Sequence, residues 1–142
     1  MTRGIVAGLA VVGVMALGAV GHAAQAKPAK PTTSPAAAKA MKNPVAADAA
    51  SVEAGKAVFA KYCRACHGTE GKGDGPGAAM LKDVKPANLT DAKWDHGGTD
   101  GEIFTTIHDG VGPKFIMDSW EGRLKDNDIW NVVNYVKTLK AK

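Results

Sequence analysis

Cys63, Cys66 and His67 form a Cys-x-x-Cys-His sequence, whose residue types and spacing indicate a specific chemistry. Two thiols three residues apart can each form a thioether to one of the two vinyl groups of a haem. The histidine that follows then lies beneath the iron as its proximal axial ligand. Because the 142 residues contain two cysteines, the haem would use both and leave none for a disulfide. The motif predicts one covalently attached haem c.

Two other uses of a paired Cys-x-x-Cys fit the sequence less well. A thioredoxin-like redox site needs a βαβ setting, which the sequence pattern does not indicate. A structural zinc site needs two further Cys or His ligands at paired spacing. His96 and His108 are the candidates for these ligands, and they stand twelve residues apart without a second pair of cysteines.

The first residues have the pattern of an export signal. Arg3 provides a positive charge, residues 5–20 are mainly apolar, and Ala24-Gln25-Ala26 resembles a cleavage site. The apolar stretch is shorter than the ~20 residues of a typical spanning helix. Residues 1–26 are therefore predicted to be a signal peptide, with an uncleaved N-terminal anchor as the alternative. Either places the protein in the periplasm or on the outer face of the cytoplasmic membrane.

Residues 27–50 are rich in alanine, proline and lysine and carry few large apolar side chains. Prolines interrupt any continuous helix, and the segment has too little apolar surface to offset its loss of conformational entropy. We therefore expect a disordered arm over 27–50, followed by one folded domain over 51–142.

The excess positive charge lies outside that domain. The whole chain has 18 basic and 14 acidic residues, whereas 51–142 contains 13 of each. A basic surface for nucleic acid is therefore not expected. The N-terminal segment is the expected route of any contact with a membrane.

Helical periodicity predicts an all-α domain. One helix is expected from about Ser51, as N-cap, into the haem motif, and another over Gly101–His108. A last helix begins near Asp126 and repeats apolar residues at spacings of three and four: Ile129, Val132, Val133, Val136 and Leu139. Since no run alternates with period two, no substantial sheet is expected.

The second axial ligand of an electron-transfer haem is expected to be a methionine, a soft donor that favours reduced iron. Met80 and Met117 are the two methionines of the domain. Met80 falls in an apparent short helix, while Met117 falls in a loop between two predicted helices, so Met117 is favoured. His96 and His108 are weaker candidates because surface or helix-end roles explain them as well.

These features together resemble the class I cytochrome c family over about residues 51–140, in a bacterial form with short loops. The first part of the resemblance is the haem motif with a glycine and an aromatic before it, Gly55-Lys56-x-x-Phe59-x-x-x-Cys63-x-x-Cys66-His67-Gly68. The second is the aliphatic-aromatic pattern of the last helix, Val132-x-x-Tyr135-Val136-Lys137. The third is the methionine loop, Met117-Asp118-Ser119-Trp120. Asp118 departs from the family, which usually has proline after the methionine.

The resemblance implies a small cytochrome c fold, in which N- and C-terminal helices pack across each other around the haem. It also implies that a proline carbonyl accepts the Nδ1–H of His67, with Pro76 as first candidate and Pro86 as second. Trp94 and Trp120 are expected either to line the haem pocket and donate their indole N–H to a propionate, or to pack in the core without a polar partner.

The function expected from this resemblance is that of a mono-haem, one-electron carrier with His67 and Met117 as iron ligands, and not an enzyme. Redox partners would be a dehydrogenase, a quinol-oxidising complex or a terminal oxidase. Two alternatives stay open. One is a haem subunit tethered to a membrane respiratory or dehydrogenase complex, and the other is a ligand-binding or catalytic haem protein with a labile sixth site.

Overall fold

The computed structural model divides the chain into two units, Met1–Lys30 and Pro31–Lys142. It describes Met1 and residues 33–81, 84–91, 93–112 and 117–140. The predicted signal peptide after Met1 and the first part of the predicted arm, up to residue 32, lie outside the described residues. Within the described ranges, no helix has the length and apolar character needed to cross a membrane.

Five α-helices build the described part of the second unit. They are α1 (Pro35–Ala40), α2 (Ala49–Tyr62), α3 (Arg64–His67), α4 (Asp100–Asp109) and α5 (Asp126–Leu139), and a 3₁₀ helix spans Pro76–Met80. Strand pairing in the described ranges consists of two isolated bridges, one between Val111 and Met117 and one between Glu121 and Leu124. The predicted all-α class is confirmed.

Helix α5 is the centre of the core. Its apolar residues recur at helical spacing and are buried along one side: Ile129, Trp130, Val132, Val133, Val136 and Leu139. Asp126 and Asp128 occupy its first turn and Lys137 its last, which complements the helix dipole at both ends. This is the last helix that the sequence predicts.

Helix α2 packs across α5, as the family resemblance implies. The Phe59 ring lies 5.3 Å from the Tyr135 ring, centroid to centroid. The predicted start of α2 is wrong by a few residues. Asp48 is the N-cap, and its carboxylate accepts a 2.8 Å hydrogen bond from the Ser51 backbone N–H. Ser51 is instead buried inside the helix, where its hydroxyl donates to Asn131 Oδ1 at 2.7 Å.

Helix α4 begins with a reciprocal cap. The Thr99 hydroxyl accepts the Glu102 backbone N–H, and the Glu102 carboxylate accepts the Thr99 backbone N–H at 2.9 Å. Phe104 then stacks on Trp130 of α5 with the ring centroids 4.0 Å apart. The helix ends at Asp109, with Gly110 as its C-cap, close to the predicted Gly101–His108 boundaries.

The cap of α4 predicts a pH-dependent stability. The Thr99 backbone N–H and then its hydroxyl hold the pKa of the Glu102 carboxyl below its ordinary value of 4.5. The charged form therefore stabilises the fold above pH 4.5, and this contribution is lost as the pH falls through the lower folded-state pKa. Glu102→Gln should unfold at lower urea concentration than wild type at pH 7, with the difference shrinking as the pH falls below 4.5.

Glu53→Gln is the matched control for this change. Glu53 is an exposed helical glutamate that lies 3.7 Å from Lys56, and exposed pairs of this kind contribute little to stability. Urea titrations of both variants between pH 3 and pH 7 provide the measurement. A Glu102→Gln deficit that stays constant across this range would contradict the assignment.

The disordered arm predicted over 27–50 is wrong for its described part. Ser34 caps α1, and its hydroxyl accepts the Ala37 backbone N–H at 3.3 Å. Ala38 is buried, and both the Ala38 carbonyl and the Met41 side chain lie against Gly101 of α4. Residues 33–46 therefore form a strap over the helical domain.

Hydrogen bonds of amide side chains connect the strap to α5. Asn43 Nδ2 donates to Asn134 Oδ1 at 2.8 Å, and Asn134 Nδ2 donates to the carbonyls of Val45 and Ala46 at 3.3 and 3.2 Å. Asn134 is buried, so these partners satisfy a side chain that would otherwise be costly to desolvate. Such contacts depend on the tertiary fold, and composition alone does not reveal them.

Candidate haem site

The two cysteines lie on a tight turn at the end of α2. Cys63 is the C-cap of α2 and the N-cap of α3, and its carbonyl accepts the backbone N–H groups of Cys66 and His67 at 3.2 and 3.0 Å. Both thiols are free and half-buried. Burial, and then the neighbouring Cys66, raises the pKa of the Cys63 thiol to about 12. Cys63 is therefore a neutral thiol at physiological pH.

His67 is oriented through one ring nitrogen. Its Nδ1 lies 3.2 Å from the carbonyl oxygen of Ala87. Because a carbonyl can only accept, Nδ1 carries the proton and Nε2 keeps its lone pair. Burial lowers the pKa of His67, against a smaller opposing effect of the Ala87 carbonyl. The imidazole is thus presented as a neutral ligand with Nε2 available.

The acceptor for His67 differs from the expected prolines. Pro76 begins the 3₁₀ helix, and Pro86 lies one residue before the actual acceptor, Ala87. The expectation of a proline carbonyl at Nδ1 is therefore wrong at both positions. Every residue has a backbone carbonyl, whatever its side chain, so the fold of the loop decides which carbonyl faces the His67 ring.

A glycine-rich loop holds Ala87 in place. The Gly73 N–H donates to the His67 carbonyl at 2.8 Å, and the Leu89 N–H donates to the Gly71 carbonyl at 2.7 Å. Gly73 has a φ of +75°, and a Cβ there would overlap the Pro86 carbonyl oxygen. Glycine at 73 thus permits the close approach that brings the next carbonyl to His67.

Met80 and Met117 are placed differently. Met80 ends the 3₁₀ helix and is 82% exposed. Met117 is half-buried against the core, and its carbonyl accepts the Val111 backbone N–H at 2.9 Å. Its role as the second iron ligand stays a prediction.

The two other histidines have separate surroundings. His108 Nδ1 lies 2.6 Å from Asp109 Oδ1, and its ring stacks on Phe104 at 5.3 Å. His96 is exposed in the loop before α4. These surroundings match the helix-end and surface roles that the sequence favours for them.

The two tryptophans expected at the pocket have partners of their own. Trp94 Nε1–H donates to the Asp91 carbonyl at 3.2 Å. Trp120 lies between the Tyr62 ring, 5.4 Å away edge-on, and the Arg123 guanidinium, 4.3 Å from its centroid. Donation from either indole to a propionate stays a prediction. For Trp94 it requires that the indole N–H give up its hydrogen bond to the Asp91 carbonyl.

The donor set fits a covalently attached haem. Two free thiols flank one turn, and the adjacent imidazole has its Nδ1 engaged and its Nε2 available. Within the part of the chain that the structure describes, no three His, Cys, Asp or Glu side chains cluster as ligands of a metal ion. A single histidine beside two thiols therefore suits c-type haem better than a structural zinc.

Two features of the site were not predicted from the sequence. One is the Ala87 carbonyl, a backbone group that no side-chain type marks in the sequence. The other is Gly75, where a Cβ would lie 2.6 Å from the Arg64 carbonyl oxygen of the haem-motif turn. The frequency of glycine between residues 68 and 77 was a signal of such close packing.

Comparisons with known proteins identify the family of this domain. The family model described as cytochrome c oxidase, cbb3-type, subunit III matches residues 50–136. The cbb3-type oxidase subunit CcoP of Cereibacter sphaeroides is 38% identical over 93 residues, covering 65% of this chain and 29% of the relative. The corresponding subunit FixP of Azorhizobium caulinodans is 35% identical over 92 residues, covering 65% and 28%. The chain thus spans less than a third of the length of these relatives.

Solved structures with the same fold include a reducing HAO-like protein complex of Kuenenia stuttgartiensis and cytochrome cL of Methylophaga aminisulfidivorans. The first has a TM-score of 0.62 and 29% identity, covering 68% of this chain and 46% of that chain. The second has a TM-score of 0.53 and 22% identity, covering 64% and 56%, and supports the fold alone. The family match extends over more than half of the chain, and so the protein belongs to the cbb3-type cytochrome c oxidase subunit III family of mono-haem c-type cytochrome domains.

Proposed function

We propose that residues 51–142 carry one haem c, attached through Cys63 and Cys66, and transfer single electrons outside the cytoplasm for a membrane respiratory complex. One observation carries the proposal. Two free thiols share a turn with His67, whose Nδ1 donates to the Ala87 carbonyl and whose Nε2 is free to bind iron. The family match over residues 50–136 supports the same chemistry.

When bound, the haem supplies an iron that takes one electron from a donor as Fe(III) and releases it to an acceptor as Fe(II). The chain's own residues tune this iron. Ala87 fixes the His67 ring and raises its basicity as a ligand. Met117 would provide a thioether as the second iron ligand, which would raise the reduction potential and block exogenous ligands.

The electron partners are proposed by analogy with the relatives. CcoP and FixP are named as subunits of cbb3-type oxidases, which favours a tethered haem subunit over the freely diffusing carrier expected first from the sequence. Electrons would pass where the haem motif meets the surface, beside the exposed Arg64 and Ala65. Transient redox contacts of this kind need little buried area.

Replacement of Met117 tests the ligand assignment. The oxidised wild type should show the weak long-wavelength absorption band of sulfur bound to ferric haem, and the reduced protein should not bind carbon monoxide. Met117→Ala should abolish the band and allow rapid carbon monoxide binding. Visible spectra of both redox states, before and after carbon monoxide, provide the measurement.

Met80→Ala is the matched control, because Met80 is the other methionine of the domain and is largely exposed. It should leave the band and the resistance to carbon monoxide unchanged. Loss of the band in Met80→Ala instead would transfer the ligand role to Met80. Rapid carbon monoxide binding by wild type would favour the alternative of a haem protein with a labile sixth site.

Cell fractionation tests the respiratory-complex part of the proposal. A haem-stained polypeptide that retains residues 1–26, sediments with membranes and co-purifies with oxidase activity is the expected result. A soluble periplasmic protein beginning near Lys27 would instead support the freely diffusing carrier. N-terminal sequencing of the haem-stained band distinguishes the two outcomes.

A further inference from the structure

The last turn of α4 binds the chain segment that follows Met117. The carbonyl of His108 accepts three hydrogen bonds, from Ser119 Oγ at 2.7 Å, the Trp120 N–H at 3.2 Å and the Glu121 N–H at 3.0 Å. The Ile107 carbonyl also lies 3.2 Å from the Trp120 N–H. The final carbonyls of a helix lack partners within the helix, so this segment satisfies groups that would otherwise need water.

The residue that follows α4 is in close backbone contact with residues 117–119. Gly110 has a φ of +77°, and a Cβ there would lie 2.6 Å from the Ser119 nitrogen and 2.7 Å from the Met117 carbonyl oxygen. The Val111 N–H donates to that same Met117 carbonyl at 2.9 Å. The backbone at Met117 is thus held directly against the end of a rigid helix.

Ser119 contributes the side-chain part of this attachment. Its hydroxyl donates to the His108 carbonyl and also accepts the Glu121 N–H at 3.2 Å. It stands two residues after Met117, so a displacement of the methionine backbone away from α4 must stretch or break the Ser119 bond. The neighbouring Trp120 is fixed further by contacts with Tyr62 and Arg123.

From these contacts we infer that Ser119 is a positioning residue that anchors Met117 to the C-terminal end of α4. In doing so it limits how often the methionine sulfur leaves the iron. The inference rests on the proposed function, in which Met117 is the second axial ligand. Its consequence is that the Ser119 hydroxyl controls access of exogenous ligands without touching the haem.

Imidazole binding to the ferric holoprotein tests the inference. Imidazole can bind only after the methionine sulfur leaves, so its apparent affinity reports how readily the segment opens. Ser119→Ala should bind imidazole about fivefold more tightly than wild type, the size expected from loss of one net hydrogen bond. Ser119→Thr keeps the hydroxyl and should return the affinity to within about twofold of wild type.

Thr138→Ala is the matched control, because the Thr138 hydroxyl donates to the Tyr135 carbonyl at 2.7 Å on α5. It removes a similar bond on another helix and should leave imidazole affinity unchanged. Amide hydrogen exchange gives a second readout that does not depend on an exogenous ligand. The N–H groups of Trp120 and Glu121 should exchange about fivefold faster in Ser119→Ala.

The outcomes separate this inference from the proposed function. If wild type shows the sulfur-to-iron band but Ser119→Ala changes neither imidazole affinity nor amide exchange, the inference fails and the proposed ligand stands. An equal effect of Ser119→Thr would also overturn it, because the hydroxyl would then not be responsible. If the band is absent from wild type, the proposed ligand fails first, and the inference fails with it.

Discussion

Gly55→Ala should lower the free energy of unfolding by about 2 to 3 kcal/mol, although alanine is the better helix former by about 1 kcal/mol. A Cβ at residue 55 of α2 would overlap the carbonyl oxygen of Asn131 on α5 and lie 2.9 Å from Tyr135 Cβ. The nearest obstacle is backbone, which cannot rotate away as a flexible side chain would. The two helices must therefore separate, and the core between them loses contacts.

Chemical denaturation of wild type and Gly55→Ala, with the haem attached, measures this loss. Gly98→Ala is the control, since its nearest neighbour is the flexible Lys140 Nζ at 3.8 Å and its backbone lies outside the left-handed region. This control should differ from wild type by less than about 0.5 kcal/mol. A Gly55→Ala protein as stable as the control would show that α2 and α5 are not in the close contact described.

The helices that position the site were largely predictable. The apolar spacing of α5 and the glycine that ends α4 are local signals, and both elements occur where the pattern places them. The start of α2 was missed because Asp48 and Ser51 are both good N-caps. The choice between them depends on the partly buried hydrogen bond from Ser51 to Asn131, which joins residues 80 apart in sequence.

The partner of His67 was not predictable in the same way. The Cys-x-x-Cys-His motif identifies His67 as the iron ligand. The acceptor of its Nδ1–H, however, is a backbone carbonyl, which any residue in the loop could supply. The Ala87 carbonyl is chosen because Gly73 lets the Pro86 segment approach the haem-motif turn. The bond between His67 and Ala87 thus depends on the absence of a side chain at Gly73, which is far from Ala87 in the sequence. The local sequence around Ala87 therefore gives little sign of it.

The strap is the clearest case of tertiary contacts overriding composition. A segment rich in alanine and proline carries little apolar surface, yet residues 33–46 are ordered over α4 and α5. Small side chains are what allow this, because Ala38 and Gly101 bring two backbones together. The family match begins at residue 50, so the strap lies outside the part of the chain that the family model covers.

Gly75→Ala should destabilise the fold by about 3 kcal/mol and also reduce haem attachment strongly. The Gly75 N–H donates to the Cys66 carbonyl at 3.1 Å, so residue 75 lies directly on the haem-motif turn. A Cβ there would overlap the Ala65 carbonyl oxygen and lie 2.6 Å from that of Arg64. Relief of this overlap must move the turn that carries both thiols and His67.

Gly77→Ala completes a graded series on the same turn. Its Cβ would lie 3.0 Å from the Ala65 carbonyl oxygen and 3.5 Å from Cys66 Sγ, so small shifts can accommodate it. Covalent haem per polypeptide, measured from the absorbance of the denatured protein, should fall slightly in Gly77→Ala and severely in Gly75→Ala. Normal haem content in Gly75→Ala together with lowered stability would show that attachment tolerates a displaced turn. In that case the geometry at Gly75 would serve the folded core and not the chemistry of the thiols.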